Sequence, residues 1–269
     1  MTEEKPWAVF RFRPVMLVLL FHCFASFEFG ASAAEIKVIA HRGAHDLYPE
    51  NTLAAISRAI DLGCDYVEVD VRETRDGRLI LMHDSTVDRM TDSTGKVDEY
   101  SFAEIRKLEV KSPAKKFPYQ VPTFGEALKR CRGRIGVLID NKAGTPSKVV
   151  DAVRVAGMVD EVVVYGGVEA LRVFQRAQPR LKIQPPHPNS SEAMKVLLAT
   201  LRPETVDGHV TEWNEVDVIL CREAKVEIWV DVLGDSDNEE GYRRAIELGV
   251  DVIQTDYPIN AKRFLKMHE

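Results

Sequence analysis

The chain has 269 residues, of which 45% are hydrophobic and 29% are charged, and its formal net charge is −6. These fractions are typical of globular proteins, and the length suits one large domain, such as an α/β barrel, or two smaller ones. The acidic balance argues against a nucleic-acid-binding face, and the mean hydropathy of −0.18 excludes a polytopic membrane protein.

The first 33 residues have the features of a secretory signal peptide. Basic residues precede an apolar run that begins at Val15 and is shorter than the ~20 residues of a membrane span. Ala31-Ser32-Ala33 forms an A-x-A site, which predicts cleavage after Ala33 and a mature domain of residues 34–269. We therefore expect an exported protein, periplasmic or secreted, without stable membrane insertion after cleavage. An uncleaved anchor is the alternative.

Short β-rich runs alternate with amphipathic helical patterns along the rest of the chain. Eight of these runs are predicted to be strands: Lys37–His41, Tyr66–Arg72, Ile135–Lys142, Glu161–Tyr165, Leu181–Gln184, Val206–Thr211, Val226–Val232 and Asp251–Thr255. The alternation continues without an interior linker. It therefore predicts a single (β/α)₈ TIM barrel rather than two domains.

A ninth apolar run, Leu79–His83, follows the second strand after a short turn. The turn contains Asp76-Gly77, a pair typical of tight hairpins, and a tight turn can join only antiparallel strands. We therefore expect a hairpin at the mouth of the barrel rather than another parallel strand. The segment from Asp84 to about Arg132 is predicted to be a long insertion before the third barrel strand. Loops of that length are commonly lids or binding elements.

The second predicted strand carries two acids on one face. Glu68 and Asp70 alternate with three valines, and in a barrel the valine face must contact the helices. The two carboxylates are then predicted to point inward, roughly 7 Å apart along the strand, where they can bind one hard cation. An exposed edge strand with alternating charges is the alternative.

Polar side chains also end the first and third barrel strands and the hairpin. His41 and Arg42 end the first strand, Asp140 and Lys142 share a face of the third, and His83 ends the hairpin run. A third carboxylate would complete an oxygen set for Mg²⁺ or Ca²⁺, and two imidazoles can serve as acid and base in phosphodiester cleavage. A structural histidine and an ordinary surface Asp–Lys pair are the alternative interpretations.

Together, these residues resemble the signature of the glycerophosphodiester phosphodiesterase family. The segments that carry the resemblance are His41-Arg42-Gly43, Pro49-Glu50-Asn51-Thr52, Glu68-Val69-Asp70, Asp76-Gly77, His83-Asp84, Val121-Pro122-Thr123-Phe124, Trp229 and Thr255-Asp256-Tyr257-Pro258. The resemblance implies an α/β barrel that uses one divalent cation, Mg²⁺ or Ca²⁺. Its substrate would be a small glycerophosphodiester, cleaved to glycerol 3-phosphate and an alcohol after attack by the substrate's own 2-hydroxyl.

The resemblance also implies roles for the candidate residues. They fall into an acid–base pair (His41, His83), metal ligands (Glu68, Asp70, with Asp140 as the third acid) and contacts to phosphate or glycerol (Arg42, Lys142, Trp229). The sequence does not predict an oligomeric state.

Two departures from the family pattern keep other functions open. Asp140-Asn141-Lys142 stands where the family usually has Glu-x-Lys, and the related spider-type phospholipase D barrels have Asp there. Trp229-Val230-Asp231-Val232 stands where the family has Trp-Thr-Val-Asn. The alternatives are a phospholipase D-like enzyme acting on lysophospholipid or sphingolipid headgroups, and a catalytically inactive phosphodiester-binding barrel.

Two further segments are given no functional role. His187 lies among prolines and is expected in a surface loop rather than at a ligand. The segment Asp235–Gly241 is similar to a calcium-binding loop, but its glycine is one place late and Ile246 stands where the bidentate acid is required.

Overall fold

The structure is a computed structural model that describes residues 1–2, 35–112 and 118–268. The predicted apolar segment and cleavage site of the signal peptide lie outside the described residues. Of the described helices, none combines the length and the apolar character that a membrane span requires.

Eight parallel strands form a nearly closed barrel, and a ninth strand adds the hairpin. The strands are β1 (Lys37–Ala40), β2 (Tyr66–Glu73), β3 (Leu79–Leu81), β4 (Gly136–Asp140), β5 (Val162–Tyr165), β6 (Lys182–Gln184), β7 (Thr205–His209), β8 (Glu227–Asp231) and β9 (Val252–Thr255). Their order is β6-β5-β4-β2-β1-β9-β8-β7, and β3 pairs antiparallel with β2. The predicted barrel and its hairpin are confirmed.

The barrel closes between β6 and β7 through a short contact, here called the seam. Pro186 and Asp207 form an isolated parallel bridge. The Asp207 N–H donates to the Pro185 carbonyl at 3.0 Å, and the Asp207 carbonyl accepts from the His187 N–H at 2.5 Å. The expectation that His187 lies in a surface loop is wrong, because its ring is buried with Nε2 3.0 Å from Asp217 Oδ2.

The helices surround the barrel and bury one face each. They are α1 (Leu53–Asp61), α2 (Phe102–Ile105), α3 (Phe124–Cys131), α4 (Pro146–Ala156), α5 (Val168–Ala177), α6 (Ser191–Leu201), α7 (Glu215–Ala224), α8 (Glu239–Leu248) and α9 (Pro258–Lys266). Several begin at a side chain that accepts a backbone N–H, among them Thr52 before α1 and Asn238 before α8. Such caps fix where each helix starts after its strand.

The alternation within the strands separates two apolar layers. The valines of β2 pack outward into the large core between barrel and helices. Inward-facing side chains form a second cluster inside the barrel: Ile39, Leu138, Val163, Trp229 and Val252. This cluster, here called the apolar plug, fills the interior below the carboxyl ends of the strands. The polar inward residues are therefore left at the mouth, where barrel enzymes place their sites.

The insertion between β3 and α3 has a small core of its own. Ile80 and Met82 of the hairpin pack with apolar side chains of the insertion: Val87, Val97, Ile105, Val110 and Val121. This cluster fixes the described part of the insertion to the hairpin, beside the mouth of the barrel.

Candidate active site

A pocket of about 160 Å³ lies at the carboxyl ends of the strands. Its lining residues are His41, Glu68, Asp70, Leu138, Asp140, Lys142, Tyr165, Asp207, Asp231, Leu233 and Gln254. Leu138 also belongs to the apolar plug, so the plug forms the floor of the pocket. Five of the eight predicted site residues line this one cavity.

Three carboxylates meet in the pocket. Glu68 and Asp70 are buried on β2, and Asp140 lies beside Asp70 in the register of β2 with β4. One oxygen from each of the three acids lies within 4.8 Å of the others. Burial, together with the neighbouring acids Asp70 and Asp140, holds the pKa of Glu68 well above its ordinary value, and burial also raises the pKa of Asp140. A set of hard, closely spaced oxygen ligands with excess negative charge fits a divalent cation such as Mg²⁺ or Ca²⁺.

Two residues in the loop after β1 hold these carboxylates in place. Asn51 Nδ2 donates to Asp70 Oδ2 at 2.7 Å, while the Asp70 N–H donates to Asn51 Oδ1 at 3.1 Å. The Arg42 N–H donates to Glu68 Oε2 at 2.8 Å. Both Arg42 and Asn51 have positive φ values, 52° and 56°, a conformation uncommon outside glycine. The local backbone strain therefore serves to orient the acids.

Two positively charged side chains lie next to the three carboxylates. Lys142 Nζ donates to Asp140 Oδ2 at 2.6 Å and lies 3.5 Å from Asp70 Oδ1. Burial lowers the pKa of Lys142, but the hydrogen bond and charge of Asp140 outweigh it, so the pKa is raised overall. The Arg42 guanidinium lies between Glu50, 3.2 Å from Nη1, and Asp70, 3.5 Å from Nε.

His41 is oriented by Asp256 at the end of the last strand. Its Nδ1 lies 2.7 Å from Asp256 Oδ1, which also accepts from His45 Nε2 at 2.9 Å. Burial raises the pKa of Asp256, but the hydrogen bonds from His41 and His45 outweigh it and hold the pKa well below the ordinary value. Because the ionised carboxylate only accepts, His41 Nδ1 carries a proton. The other ring nitrogen, Nε2, lies 3.9 Å from Glu68 Oε2 and is left for chemistry in the pocket.

His83 is paired in the same way with Asp84. Its Nδ1 lies 2.7 Å from Asp84 Oδ1, and its backbone carbonyl accepts from Arg72 Nη2 at 2.7 Å. His83 is not among the residues that line the 160 Å³ pocket, although it is close enough for a proton on its ring to lower the pKa of Asp140. His41 and His83 thus each contact an aspartate through Nδ1, and this contact leaves Nε2 of each ring available.

Arg89, from the insertion, bridges the two sides of the site. Its Nε donates to Asp84 Oδ2 at 2.7 Å, and its Nη2 and Nη1 donate to the two oxygens of Glu50 at 2.7 and 2.9 Å. The Arg89 hydrogen bond is the main cause that lowers the pKa of Asp84. One guanidinium therefore holds the acid that orients His83 and the acid that contacts Arg42.

Trp229 occupies a different place from the one expected. It is buried in the apolar plug, 4.8 Å from the ring of Tyr66, and its Nε1 donates to Glu227 Oε2 at 2.8 Å. Two residues further along the strand, Asp231 lines the pocket instead. Both side chains point inward, but the register with β9 places Trp229 beside Val252 and Asp231 beside Gln254, one layer higher.

The Asp235–Gly241 loop, whose sequence is similar to a calcium-binding loop, supports the site without lining the pocket. Asp237 accepts from Thr255 Oγ1 at 2.6 Å with one oxygen and from the Asp256 N–H at 2.7 Å with the other. It thereby fixes the turn that presents Asp256 to His41. The sequence pattern predicts no role for Asp256, Asp237, His45 or Arg89, although Asp256 lies in the Thr255–Pro258 segment. For His83, the adjacent Asp84 was the one signal of a partner in the sequence.

The fold and the charged pocket at its mouth define an α/β-barrel enzyme. The model of the glycerophosphoryl diester phosphodiesterase family matches residues 41–260. The chain is 31% identical over 233 residues to a glycerophosphodiester phosphodiesterase of Caldanaerobacter subterraneus subsp. tengcongensis, covering 82% of this chain and 94% of that relative. The chain belongs to the glycerophosphoryl diester phosphodiesterase family, and the resemblance seen in the sequence is confirmed.

Solved structures agree with this assignment. A glycerophosphodiester phosphodiesterase from Agrobacterium tumefaciens is similar with a TM-score of 0.76 and 31% identity, over 84% of this chain and 99% of that one. A phosphodiesterase of Oleispira antarctica, solved with the product sn-glycerol-3-phosphate, has a TM-score of 0.76 at 22% identity, over 86% of this chain and 96% of that one. The second likeness supports the fold alone.

Proposed function

We propose that this enzyme hydrolyses small glycerophosphodiesters to glycerol 3-phosphate and an alcohol, using one divalent cation and two histidines as acid and base. The observation that carries the proposal is the meeting of three carboxylates and an Asp-oriented histidine in one pocket. Membership of the family and the names of its relatives support the reaction class.

Glu68, Asp70 and Asp140 are the residues that would hold the cation. Their oxygens are close, buried and mutually repulsive, which a positive ion would relieve. When bound, a divalent ion supplies positive charge against the phosphoryl oxygens. The neighbouring Lys142 and Arg42 are assigned to the phosphate group, since each provides hydrogen-bond donors and positive charge at the same end of the barrel.

His41 and His83 are assigned to proton transfer. One imidazole accepts the proton of the substrate's 2-hydroxyl as its oxygen bonds to phosphorus, and the other protonates the departing alcohol oxygen, which leaves a cyclic glycerol phosphate. With the proton roles reversed, a water molecule then adds to phosphorus and the ring P–O bond breaks, which gives glycerol 3-phosphate. In each pair the carboxylate at Nδ1 fixes the tautomer and stabilises the imidazolium that forms when the ring gains a proton. We assign His41 as the first base because its Nε2 is directed into the pocket.

The test is release of glycerol 3-phosphate from glycerophosphocholine and glycerophosphoethanolamine by purified protein, with Mg²⁺ or Ca²⁺ added after chelation. We expect turnover that chelator abolishes and that His41→Ala and Asp256→Asn each reduce by about 10²- to 10⁴-fold. His268→Ala is the matched control, since that ring lies on the Phe264 ring of the last helix. Turnover no greater than that of His41→Ala would overturn the proposal.

The same assay separates the phospholipase D-like alternative. Lysophosphatidylcholine and sphingomyelin are run beside the glycerophosphodiesters, because Asp140 stands at a position that the spider-type enzymes share. Faster turnover of the intact lipids would favour that alternative. Tight binding of a glycerophosphodiester without turnover would favour the inactive binding barrel.

Export remains a proposal that rests on the sequence. N-terminal sequencing of the protein recovered from the native host tests it, with Ala34 expected as the first residue. A mature chain that retains its first 33 residues would contradict cleavage.

A further inference from the structure

The pocket has a second polar side that the reaction leaves unused. Asp207, Asp231 and Gln254 line it from β7, β8 and β9, and we call these three residues the acceptor wall. In the strand order, β7 and β8 lie across the barrel from β2 and β4, which carry the three metal-site acids. The acceptor wall therefore faces the proposed cation site.

The acceptor wall contains one buried acceptor that no group of the described protein satisfies. Gln254 is 8% exposed, and its Oε1 is buried without a hydrogen-bond partner. Asp207 is also 8% exposed, and the hydrogen bond acting on its carboxylate comes from the backbone of Gly208. The corresponding bond to Asp231 comes from the backbone of Leu233.

The charge of the wall is likewise uncompensated. Within the part of the chain that the structure describes, no lysine or arginine forms an ion pair with Asp207 or Asp231. Burial, together with the neighbouring acids Asp231 and Glu212, raises the pKa of Asp207 well above its ordinary value, and burial also raises the pKa of Asp231. Burying acceptors and negative charge in this way costs free energy unless a ligand supplies donors and positive charge.

These requirements define the chemistry of the ligand. A hydroxyl group would supply a donor without charge, and a quaternary ammonium would supply charge without a donor. A protonated primary amine supplies both. We propose that the acceptor wall binds the ammonium group of the substrate's alcohol moiety, so that the enzyme prefers glycerophosphodiesters of small primary amino alcohols. This inference rests on the proposed function.

The wall also accounts for a departure seen in the sequence. Asp231 belongs to the Trp229–Val232 segment, which differs from the Trp-Thr-Val-Asn pattern of the family. The register places Asp231, and not Trp229, at the height of Gln254. The departure thus puts an acid into the pocket of this particular chain.

The experiment compares glycerophosphodiesters that differ in the alcohol moiety, which is the part proposed to contact the acceptor wall. Glycerophosphoethanolamine, its N-methyl, N,N-dimethyl and N,N,N-trimethyl forms, and glycerophosphoglycerol, whose alcohol moiety is uncharged, are assayed with the metal-loaded enzyme. We expect kcat/KM to fall by about tenfold or more from the primary amine to the trimethyl form and to glycerophosphoglycerol. Asp231→Asn and Asp207→Asn should each reduce that preference by a similar factor, whereas the surface control Asp151→Asn should keep it.

Several outcomes would overturn the inference. They are equal turnover of glycerophosphoethanolamine and glycerophosphoglycerol, a preference for the trimethyl form, or an amine preference that persists in both variants. A second divalent cation per chain, detected by calorimetric titration and lost in Asp207→Asn, would assign the wall to a metal instead. Because Asp207 also closes the barrel, thermal unfolding is measured for each variant, and Asp231→Asn decides if Asp207→Asn does not fold.

A binding measurement distinguishes failure of this inference from failure of the proposed function. If no diester is hydrolysed, calorimetry with glycerophosphoethanolamine and glycerophosphoglycerol still tests the wall. Tighter binding of the amine, weakened in Asp231→Asn, would support the inference on its own. Equal affinities would refute it.

Discussion

We predict that Arg89, which lies outside the pocket, influences the rate of the chemical step because it bridges Asp84 and Glu50. Replacing Arg89 by Ala removes hydrogen bonds of 2.7 to 2.9 Å to Glu50 and of 2.7 and 3.1 Å to Asp84. Asp84 then loses the partner that fixes it against His83, and Glu50 loses one of its two arginines. Both losses act on residues that are assigned to the reaction.

The size of the effect follows from the position of the side chain. The Arg89 side chain is 45% exposed, so the substitution should cost little stability, within about 1 kcal/mol. Residues that orient a catalytic group through one contact commonly change activity by about 10- to 100-fold. We therefore expect kcat to fall by this factor while KM changes less, which corresponds to about 1.4–2.7 kcal/mol in the barrier. Arg89→Lys should recover only part of the rate, because one ammonium lacks the fork that reaches both acids.

The pH profile provides a measurement that a purely structural role would not change. Arg89 lowers the pKa of Asp84, so in Arg89→Ala this pKa rises toward its ordinary value. Asp84 then becomes protonated at a higher pH, so the loss of kcat relative to the parent enzyme should increase as the pH falls toward the ordinary carboxyl range. Arg75→Ala is the matched control, since Arg75 pairs with Glu104 at 3.0 Å on the surface. If Arg89→Ala retains kcat within twofold of Arg75→Ala with an unshifted profile, the reasoning is refuted.

Three further predictions concern the cation site, a close backbone contact and the apolar plug. Because the folded, cation-free protein raises the pKa of Glu68, it binds more protons than the unfolded chain and loses stability as the pH rises above the ordinary value of 4.5. A bound cation reverses this loss, so the rise in unfolding temperature on adding Mg²⁺ or Ca²⁺ should grow between about pH 5 and 8. A rise that is as large and as pH-dependent in Glu68→Gln would contradict the assignment of Glu68 as a cation ligand. Gly241→Ala should lower the free energy of unfolding in urea by about 1–3 kcal/mol, since its Cβ would lie 2.0 Å from a backbone oxygen, while Gly125→Ala, with open space around it, should be neutral or stabilising. Trp229→Phe should reduce stability by about 1–3 kcal/mol with KM within twofold of the parent, and a large rise in KM would instead place Trp229 at the substrate.

The sequence was most informative where periodicity and local turns decide the structure. Glu68 and Asp70 were placed inside the barrel by the valines that alternate with them, and Asp76-Gly77 identified the hairpin. Both inferences use contacts between residues that are near in the chain. They therefore needed no knowledge of how the barrel closes.

The remaining site residues depend on contacts between distant parts of the chain. His41 and Asp256 are 215 positions apart, and Arg89 and Glu50 are 39 apart, so no local pattern pairs them. Trp229 illustrates a different limit, because alternation indicates which face a strand residue occupies but not its depth in the barrel. That depth follows from strand register, which the fold as a whole determines.

Asp207 gives the seam a thermodynamic link to whatever occupies the pocket. Its backbone N–H and carbonyl form hydrogen bonds to Pro185 and His187, directly after β6, while its side chain lines the cavity. A molecule that binds only when this residue is in place stabilises the closed ring by its own binding free energy, and closure of the ring increases its affinity by the same factor. Amide hydrogen exchange at the seam should therefore slow as the pocket is occupied, so that exchange at the seam measures ligand binding.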